Sequence, residues 1–470
     1  MKYMLLLLLF CSTQKLRAQA NQKETGKIIL NETHKADMKD TIQKYPSPFS
    51  SVFLRIPENN TPCMSPEEDS MIAAVIKKAG IKWEKRKDSL KRNGQMAEVI
   101  TTHPLFIWPM RVSEKYDMQY KYFYKGNFVD QDPDATVVSD YNCGTRTYNG
   151  HDAADISPWP FWWRMMDSGY VSIVAAAPGV IFDKQDGGFD RNCGSGVPSN
   201  WVIIEHFDGS MTRYHHLKKY SLTSKQEGDT VQAGEFLGLI GSSGNSSHTH
   251  LHFAVKDPNG NDIEPFYLNA TCNTLNSETW WQNQPVYWDS KISRIMTHSL
   301  VPVIADCPDD ELVNAKNNFN PGEVFYTGIA FSEGQAGDIA TVVIYKPDGS
   351  VFTTWNILLT ASEIRTYKVD GFILPSGNTG TWKVRVQYRG SFYFHHFTVG
   401  CPANLAPSGT YSGPTAYIAG STVSSSVLHT IAAGDKILYQ AQNSIEFKPG
   451  FHAPAGVLLR TRLAGCNFTE

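Results

Sequence analysis

The 470-residue sequence has no excess of basic charge, no CxxC pair, no HExxH motif and no apolar run long enough to cross a bilayer as a helix. Each absence narrows the field. A spanning helix needs about 20 consecutive apolar residues, and the apolar run at residues 4–10 falls far short of that. Lys plus Arg total 43 against 46 for Asp plus Glu, and the net charge of -3 leaves no electrostatic footprint for nucleic acid or an anionic membrane. Without CxxC a cysteine zinc site has no support, and without HExxH a glutamate base on a helix is not the design. Charged residues reach only 19% while apolar ones make up 41%, with 11 Trp, 21 Tyr and 24 Phe, which excludes wholesale disorder. At roughly 150 residues per domain, the length predicts about three domains.

What is present begins with Lys2, the apolar run 4–10 and Ala18-Gln19-Ala20. This pattern predicts a secretory signal over residues 1–20 and a secreted protein, whether extracellular, at the cell surface or periplasmic. The bulky Phe10 argues against lipid modification of Cys11. Export permits disulfides among Cys63, Cys143, Cys193, Cys272, Cys307, Cys401 and Cys466. Spacing suggests Cys143 with Cys193 and Cys401 with Cys466, with Cys63 a candidate unpaired thiol and a candidate thiolate cap over a metal.

Residues 21–105 are polar and Lys-rich, with a helical pattern over 66–96, and read as a pro-region or helical preamble. Residues 106–290 change to short β-like runs at 171–176, 180–182, 201–205, 236–240 and 250–255, separated by Gly and Asn. Residues 300–400 carry a second β pattern with the turn Lys346-Pro347-Asp348-Gly349 and the alternation Trp382, Val384, Val386, Tyr388, which predicts a β-sandwich. Residues 401–470 space short strands by about ten residues, as stacked strands would be. The fold class is therefore mainly β: an antiparallel sheet body, a β-sandwich and a small stacked-strand C-terminal unit.

The chemistry concentrates in the first β body. His151 and Asp155 form HxxxD, His250 and His252 form HxH in an apolar strand, and Tyr214-His215-His216-Leu217 lies between them. Residues i and i+2 of a strand project from one face, so His250 and His252 can enter one cleft while Leu251 and Phe253 enter the core. A hydrolytic zinc takes three protein ligands and keeps a position for water, a count that His151, Asp155 and one of the HxH pair satisfy. His206 reads as a hydrogen-bonded structural residue. His215 should face away from His216 toward solvent or a loop, and Asp152, adjacent to His151, should face the opposite way from it, which leaves Asp155 the better ligand candidate. Trp159, Trp162 and Trp163 either wall a substrate groove or pack a loop onto the sheet.

These residues resemble the lysostaphin-like and LytM-like zinc endopeptidases, which include the beta-lytic proteases. The resemblance spans roughly residues 135–270 and includes 175–181, 204–210, YxHL at Tyr214 to Leu217, 228–234, Gly241-Ser242-Ser243-Gly244 and His250-Leu251-His252-Phe253. It implies zinc (Zn2+) held by His151, Asp155 and His252, with His216 and His250 activating water and stabilising the transition state. It further implies an antiparallel sheet with a groove crossing the metal, and peptidoglycan peptide as substrate. Ala153 stands where the family usually has Gly, and His248-Thr249 where Gly-Pro is often seen; neither removes a ligand. Residues 402–466 resemble three-coathanger-stack repeats, notably in residues 445–453, which suggests binding or presentation. The alternatives are a secreted protease acting on glycine-rich proteins and a non-catalytic wall-binding or regulatory module that has lost its zinc.

Overall fold

The computed structural model describes residues 45–466 except 55, 57–63, 65, 93–102, 117–119, 133, 135, 194–197, 269–270, 306, 412–414, 426–428 and 433. The expected signal segment, Cys11 and Cys63 lie outside the described residues. Among those described, no helix is long and apolar enough to cross a membrane.

The chain is mainly β. Its central sheet takes β3 (Phe123–Lys125), β4 (Ala154–Pro158), β6 (Gly179–Gln185), β7 (Trp201–Glu205), β8 (Met211–His215), β9 (Thr230–Val231), β11 (Leu251–Lys256) and β12 (Asp262–Ile263). The order is β3-β4-β11-β8-β7-β6-β9, with β12 on β11, and the pairs are antiparallel. Strand alternation sends Val202, Ile204, Tyr214, Leu251, Phe253 and Val255 to one face. There they pack with a second sheet of β2 (Met110–Val112), β5 (Val171–Val174) and β10 (Phe236–Leu239) through Met110, Val171, Ile173 and Leu237. The Tyr214 hydroxyl accepts a hydrogen bond from Ala176 N at 2.7 Å and ties the two layers. The opposite face carries the residues of chemical interest.

Among the described residues two helices accompany this body: α1 (Pro66–Arg92) and α2 (Trp162–Ser168). Trp159, Trp162 and Trp163, beside and within α2, are 1–2% exposed. Trp159 and Trp162 pack in one cluster with Tyr367 and Val369 from a strand much later in the chain, so these indoles are a packed seam and not a groove wall.

Within the same compact unit, the chain next packs two sheets face to face as a β-sandwich. One sheet joins β1 (Ser50–Phe53), β18 (Glu363–Ile373), β15 (Val324–Gly334) and β13 (Lys291–His298). The other joins β14 (Asn318–Phe319), β20 (Ser391–Val399), β19 (Gly380–Tyr388), β16 (Ile339–Tyr345) and β17 (Val351–Leu358). Phe325, Phe331, Val342, Trp382, Val384, Val386 and Phe397 fill the space between them. The last segment stacks short parallel strands, in which Thr415, Ile437 and Leu459 lie in register.

Among the described residues three disulfides are present: Cys143–Cys272, Cys193–Cys307 and Cys401–Cys466. Spacing anticipates the third and mispairs the first. Tyr141 stacks on Phe266 at 5.4 Å, which draws the Cys143 loop to the segment holding Cys272. Arg191 bridges Asp167 at 2.6 Å and Asp310 at 2.5 Å, which carries Cys193 to Cys307. Sequence proximity loses because packed aromatics and ion pairs set the loop positions.

Candidate functional site

The outer face of the central sheet gathers the histidines. In register, His252 on β11 lies between Asp155 on β4 and His215 on β8. His151 enters from the loop before β4. The donor atoms of His151, Asp155 and His252 lie within 4.8 Å of one another, as do those of His216, His250 and His252. His252 belongs to both groups, and only the first contains a carboxylate. All five side chains are nearly inaccessible: His151 3%, Asp155 4%, His216 0%, His250 1% and His252 1%.

Each imidazole is oriented by one ring nitrogen. His151 Nδ1–H donates to Phe128 O at 2.8 Å, which leaves Nε2 facing Asp155 Oδ2 at 3.2 Å. His216 Nδ1–H donates to Ser243 O at 2.7 Å, and its buried Nε2 has no hydrogen-bond partner. His250 Nδ1–H donates to His248 O at 2.9 Å. His252 is inverted: Nδ1 faces Asp155 Oδ1 at 3.1 Å, while Nε2 meets Asp152 Oδ1 at 3.1 Å. Fixing the second nitrogen sets the tautomer and aims the first, the usual arrangement around metal-binding imidazoles.

Burial works against the charge on Asp155, but the imidazoles of His151 and His250 outweigh it and hold the carboxyl well below the usual range. Asp152 is likewise opposed by burial and held well below the usual range by Arg213, His252 and Lys256. The Arg213 guanidinium donates to Asp152 Oδ2 at 2.6 Å, and Lys256 Nζ lies 3.0 Å from the same atom. Asp152 is the residue that strand logic undervalued. It meets His252 at Nε2, the ring nitrogen opposite the one that faces Asp155, and so orients His252 from behind. Its signal was available in the alternation of Arg213 with His215 and of His252 with Lys256, which puts two cations on one sheet face in need of an acid.

His215 requires a correction. It is 0% exposed and faces the same side as His252, with ring centroids 5.8 Å apart. His216 also approaches His252 at 5.8 Å. Both can do so because His216 has φ 59, in the left-handed region, which breaks strand alternation at the end of β8. His206 is held between Pro178 O and Thr212 Oγ1, each at 2.9 Å, and takes no part in the site. His248 lies behind His250, with ring centroids 5.2 Å apart, and Nε2 is 3.1 Å from Ser157 Oγ.

Residues 166–265 match the family model described as Peptidase family M23, so the chain carries a domain of that family. His216, His250 and His252 fall inside this span; His151 and Asp155 lie just before it. Among similar curated proteins, the DD-carboxypeptidase/endopeptidase Mpg of Neisseria meningitidis serogroup B is 37% identical over 92 residues, 19% of this chain and 18% of that protein. The peptidoglycan DD-endopeptidase ShyA of Vibrio cholerae serotype O1 is 38% identical over 56 residues, 12% of each. The chain therefore spans less than a fifth of these relatives. Among solved structures, lysostaphin from Staphylococcus simulans aligns at 16% identity over 59% of this chain and 91% of its own, with a TM-score of 0.23.

Proposed function

We propose that this protein is a secreted zinc metalloendopeptidase that hydrolyses peptide bonds of bacterial peptidoglycan. The observation that carries the reading is the convergence of His151, Asp155 and His252 donor atoms beside the inward-aimed imidazoles of His216 and His250. The donor set fits zinc: two imidazoles, one carboxylate and a nearby buried nitrogen, His216 Nε2, with no hydrogen-bond partner. Such an ion, held by His151 Nε2, Asp155 and His252 Nδ1, would lower the pKa of water to about 7 and polarise the scissile carbonyl.

The chain's own groups do the rest. With Nδ1–H committed to backbone carbonyls, His216 and His250 each present Nε2 as a proton acceptor. One takes the proton of the attacking water at Nε2. The protonated ring then donates to the developing oxyanion or to the leaving amine. Asp152 holds His252 Nε2–H, so that Nδ1 stays turned toward Asp155.

Support for the substrate class comes from a relative whose name describes a peptidoglycan DD-endopeptidase, beside another named a DD-carboxypeptidase/endopeptidase. The test is digestion of purified cell walls by the protein carrying stoichiometric zinc, with chelation, zinc add-back and a His252→Ala control, and mass spectrometry of the released fragments. Peptide cleavage abolished by chelation and by His252→Ala is expected. A zinc-loaded protein that leaves walls intact but cleaves a glycine-rich protein such as elastin moves the substrate. Absence of bound zinc and of any cleavage leaves only a binding module.

A further inference from the structure

The last three-stranded sheet of the chain turns one face toward the sandwich, and a cleft of about 390 Å³ lies between them. Its strands are Thr415–Ala419, Lys436–Ala441 and Leu458–Leu463. Their parallel register sets Leu438 beside Arg460 and Gln440 beside Arg462. Alternation therefore puts these four side chains on one face, and all four line the cleft. The opposite wall belongs to the sandwich. Tyr393 and Phe397 of β20 enter its core, so Phe392, Phe394 and His396 turn outward and line the cleft. Ile295 of β13 enters the same core, and Arg294 and Met296 on either side of it line the cleft likewise.

Positive charge is concentrated there. Arg294, Lys436, Arg460 and Arg462 come from three strands to one space, and among the described lining residues the acid is Asp435. The whole chain carries a net charge of -3, so this excess is local and does not follow from composition. His395 feels it: burial, reinforced by His396, His298 and Arg294, brings its imidazole down to about 3, and the neutral ring lies 3.1 Å from Thr297 Oγ1. The three arginines are half-buried, and a guanidinium presents a planar fork of donors that matches carboxylate and phosphate oxygens. Tyr120, whose hydroxyl donates to Phe394 O at 2.9 Å, adds its ring to those of Phe392 and Phe394. Cys466 also lines the cleft, and its disulfide to Cys401 anchors the end of the strand that carries Arg460 and Arg462.

The space continues beyond the last sheet. Arg294, Met296 and Arg462 also line a second cavity of about 940 Å³, which reaches Trp163 and Arg164 of α2. Shared walls make the two spaces neighbours, and together they exceed the roughly 300–1,000 Å³ of a small-molecule pocket. An elongated ligand suits that shape. We infer that this cleft binds an acidic oligosaccharide, whose carboxylates or phosphates pair with Arg294, Lys436, Arg460 and Arg462 while its sugar faces lie on Tyr120, Phe392 and Phe394. The assignment requires neither zinc nor hydrolysis. An extended peptide binds by adding its backbone along a strand edge, whereas this cleft offers alternate side chains of strand faces. A small inorganic ion would leave the aromatic wall unused.

The experiment is isothermal titration calorimetry of the full chain with defined probes. Tetragalacturonate supplies carboxylates, phosphorylated maltotetraose supplies phosphates, maltotetraose supplies neither, and tetraglutamate supplies carboxylates on a peptide. Saturable binding of at least one acidic sugar, weakening as salt rises, is expected, with no binding of maltotetraose. Which acidic sugar binds tells carboxylate from phosphate as the anion read. The Arg460→Gln/Arg462→Gln variant should bind it tenfold or more weakly and Lys436→Gln severalfold more weakly, both with unchanged hydrolysis of a soluble peptide. Binding of neither acidic sugar, equal binding of maltotetraose, tighter binding of tetraglutamate, or full binding by the double variant overturns the site. A double variant that unfolds in a thermal melt is set aside, and Lys436→Gln, altered at an exposed side chain, then decides. A chain that binds acidic sugar but cleaves no peptide loses the hydrolase reading and keeps this one.

Discussion

Between the two sheets of the sandwich the buried side chains are apolar, chiefly Phe, Trp, Val and Ile with Leu, Tyr and Ala, whereas the outer face of the central sheet buries Asp155, Arg213, Lys256 and a cluster of histidines in the same strand geometry, with Asp152 half-buried beside them. Both are β-sheet faces shut off from water. The first gains stability from every residue it covers. The second must satisfy each charge with a partner, because an unpaired buried charge costs several kcal/mol. The difference teaches which face is kept for chemistry: ionisable groups tolerated at that cost mark a site, and apolar interdigitation marks a scaffold.

The comparison breaks most visibly at the histidines. His250→Ala should lower hydrolysis by about 10^2- to 10^4-fold while zinc remains bound, and His252→Ala should lose zinc as well; activity assays with metal analysis read both. Neither should shift the melting temperature as far as a core substitution. Conversely, Trp382→Ala, in the sandwich core, should cost roughly 3–5 kcal/mol in denaturant unfolding and leave kcat of the folded protein unchanged.

Glu333 sharpens the contrast, because it is a buried acid on the sandwich side, as Asp370 is. It pairs with Lys125 at 2.8 Å and Lys121 at 2.9 Å, both from the peptidase body. Burial opposes its charge, but Lys125, Lys121 and Arg146 outweigh that and pull its pKa from 4.5 to about 2. Burial likewise lowers Lys125 to about 8, against the attraction of Glu333. Glu333→Gln should cost about 3–5 kcal/mol by stranding those cations. A depressed carboxylate contributes stability that is present above its unfolded pKa and lost as pH falls through the folded one. Acid titration of wild-type stability between pH 4.5 and about 2 should therefore show a loss of roughly 3 kcal/mol that the Glu333→Gln protein lacks.

The smallest effect is expected at Asp152, which touches His252 but not the proposed metal. Asp152→Asn should lower zinc affinity or activity by roughly 10- to 100-fold, measured by competition with a chromophoric chelator, without abolishing either. A loss as complete as that of His252→Ala would make Asp152 a ligand and redraw the site.

Much of this was legible in one dimension. A short apolar run rich in β-branched residues locates β7 at residues 201–205 to the residue, and the apolar recurrence over 66–96 locates α1 within a few residues. HxH on an apolar strand requires two imidazoles on one face. The same alternation fails for His215, because one left-handed residue at position 216 re-aims the chain, and no side-chain pattern announces a backbone φ. Cys143 and Cys193 fail for another reason: their partners lie where Tyr141 packs on Phe266 and Arg191 pairs with Asp310, contacts over more than a hundred residues.

By itself, then, the sequence determined the mainly β character, the spacing that lets His250 and His252 share a direction, and the helical nature of residues 66–92, since each follows from a repeat of two or about 3.6 residues. Only the tertiary structure decided that Asp155 and His252 stand side by side and that Asp152 braces the ring from behind. Those facts depend on strand register and on which apolar surfaces find each other, and both are set by the packing of the whole chain.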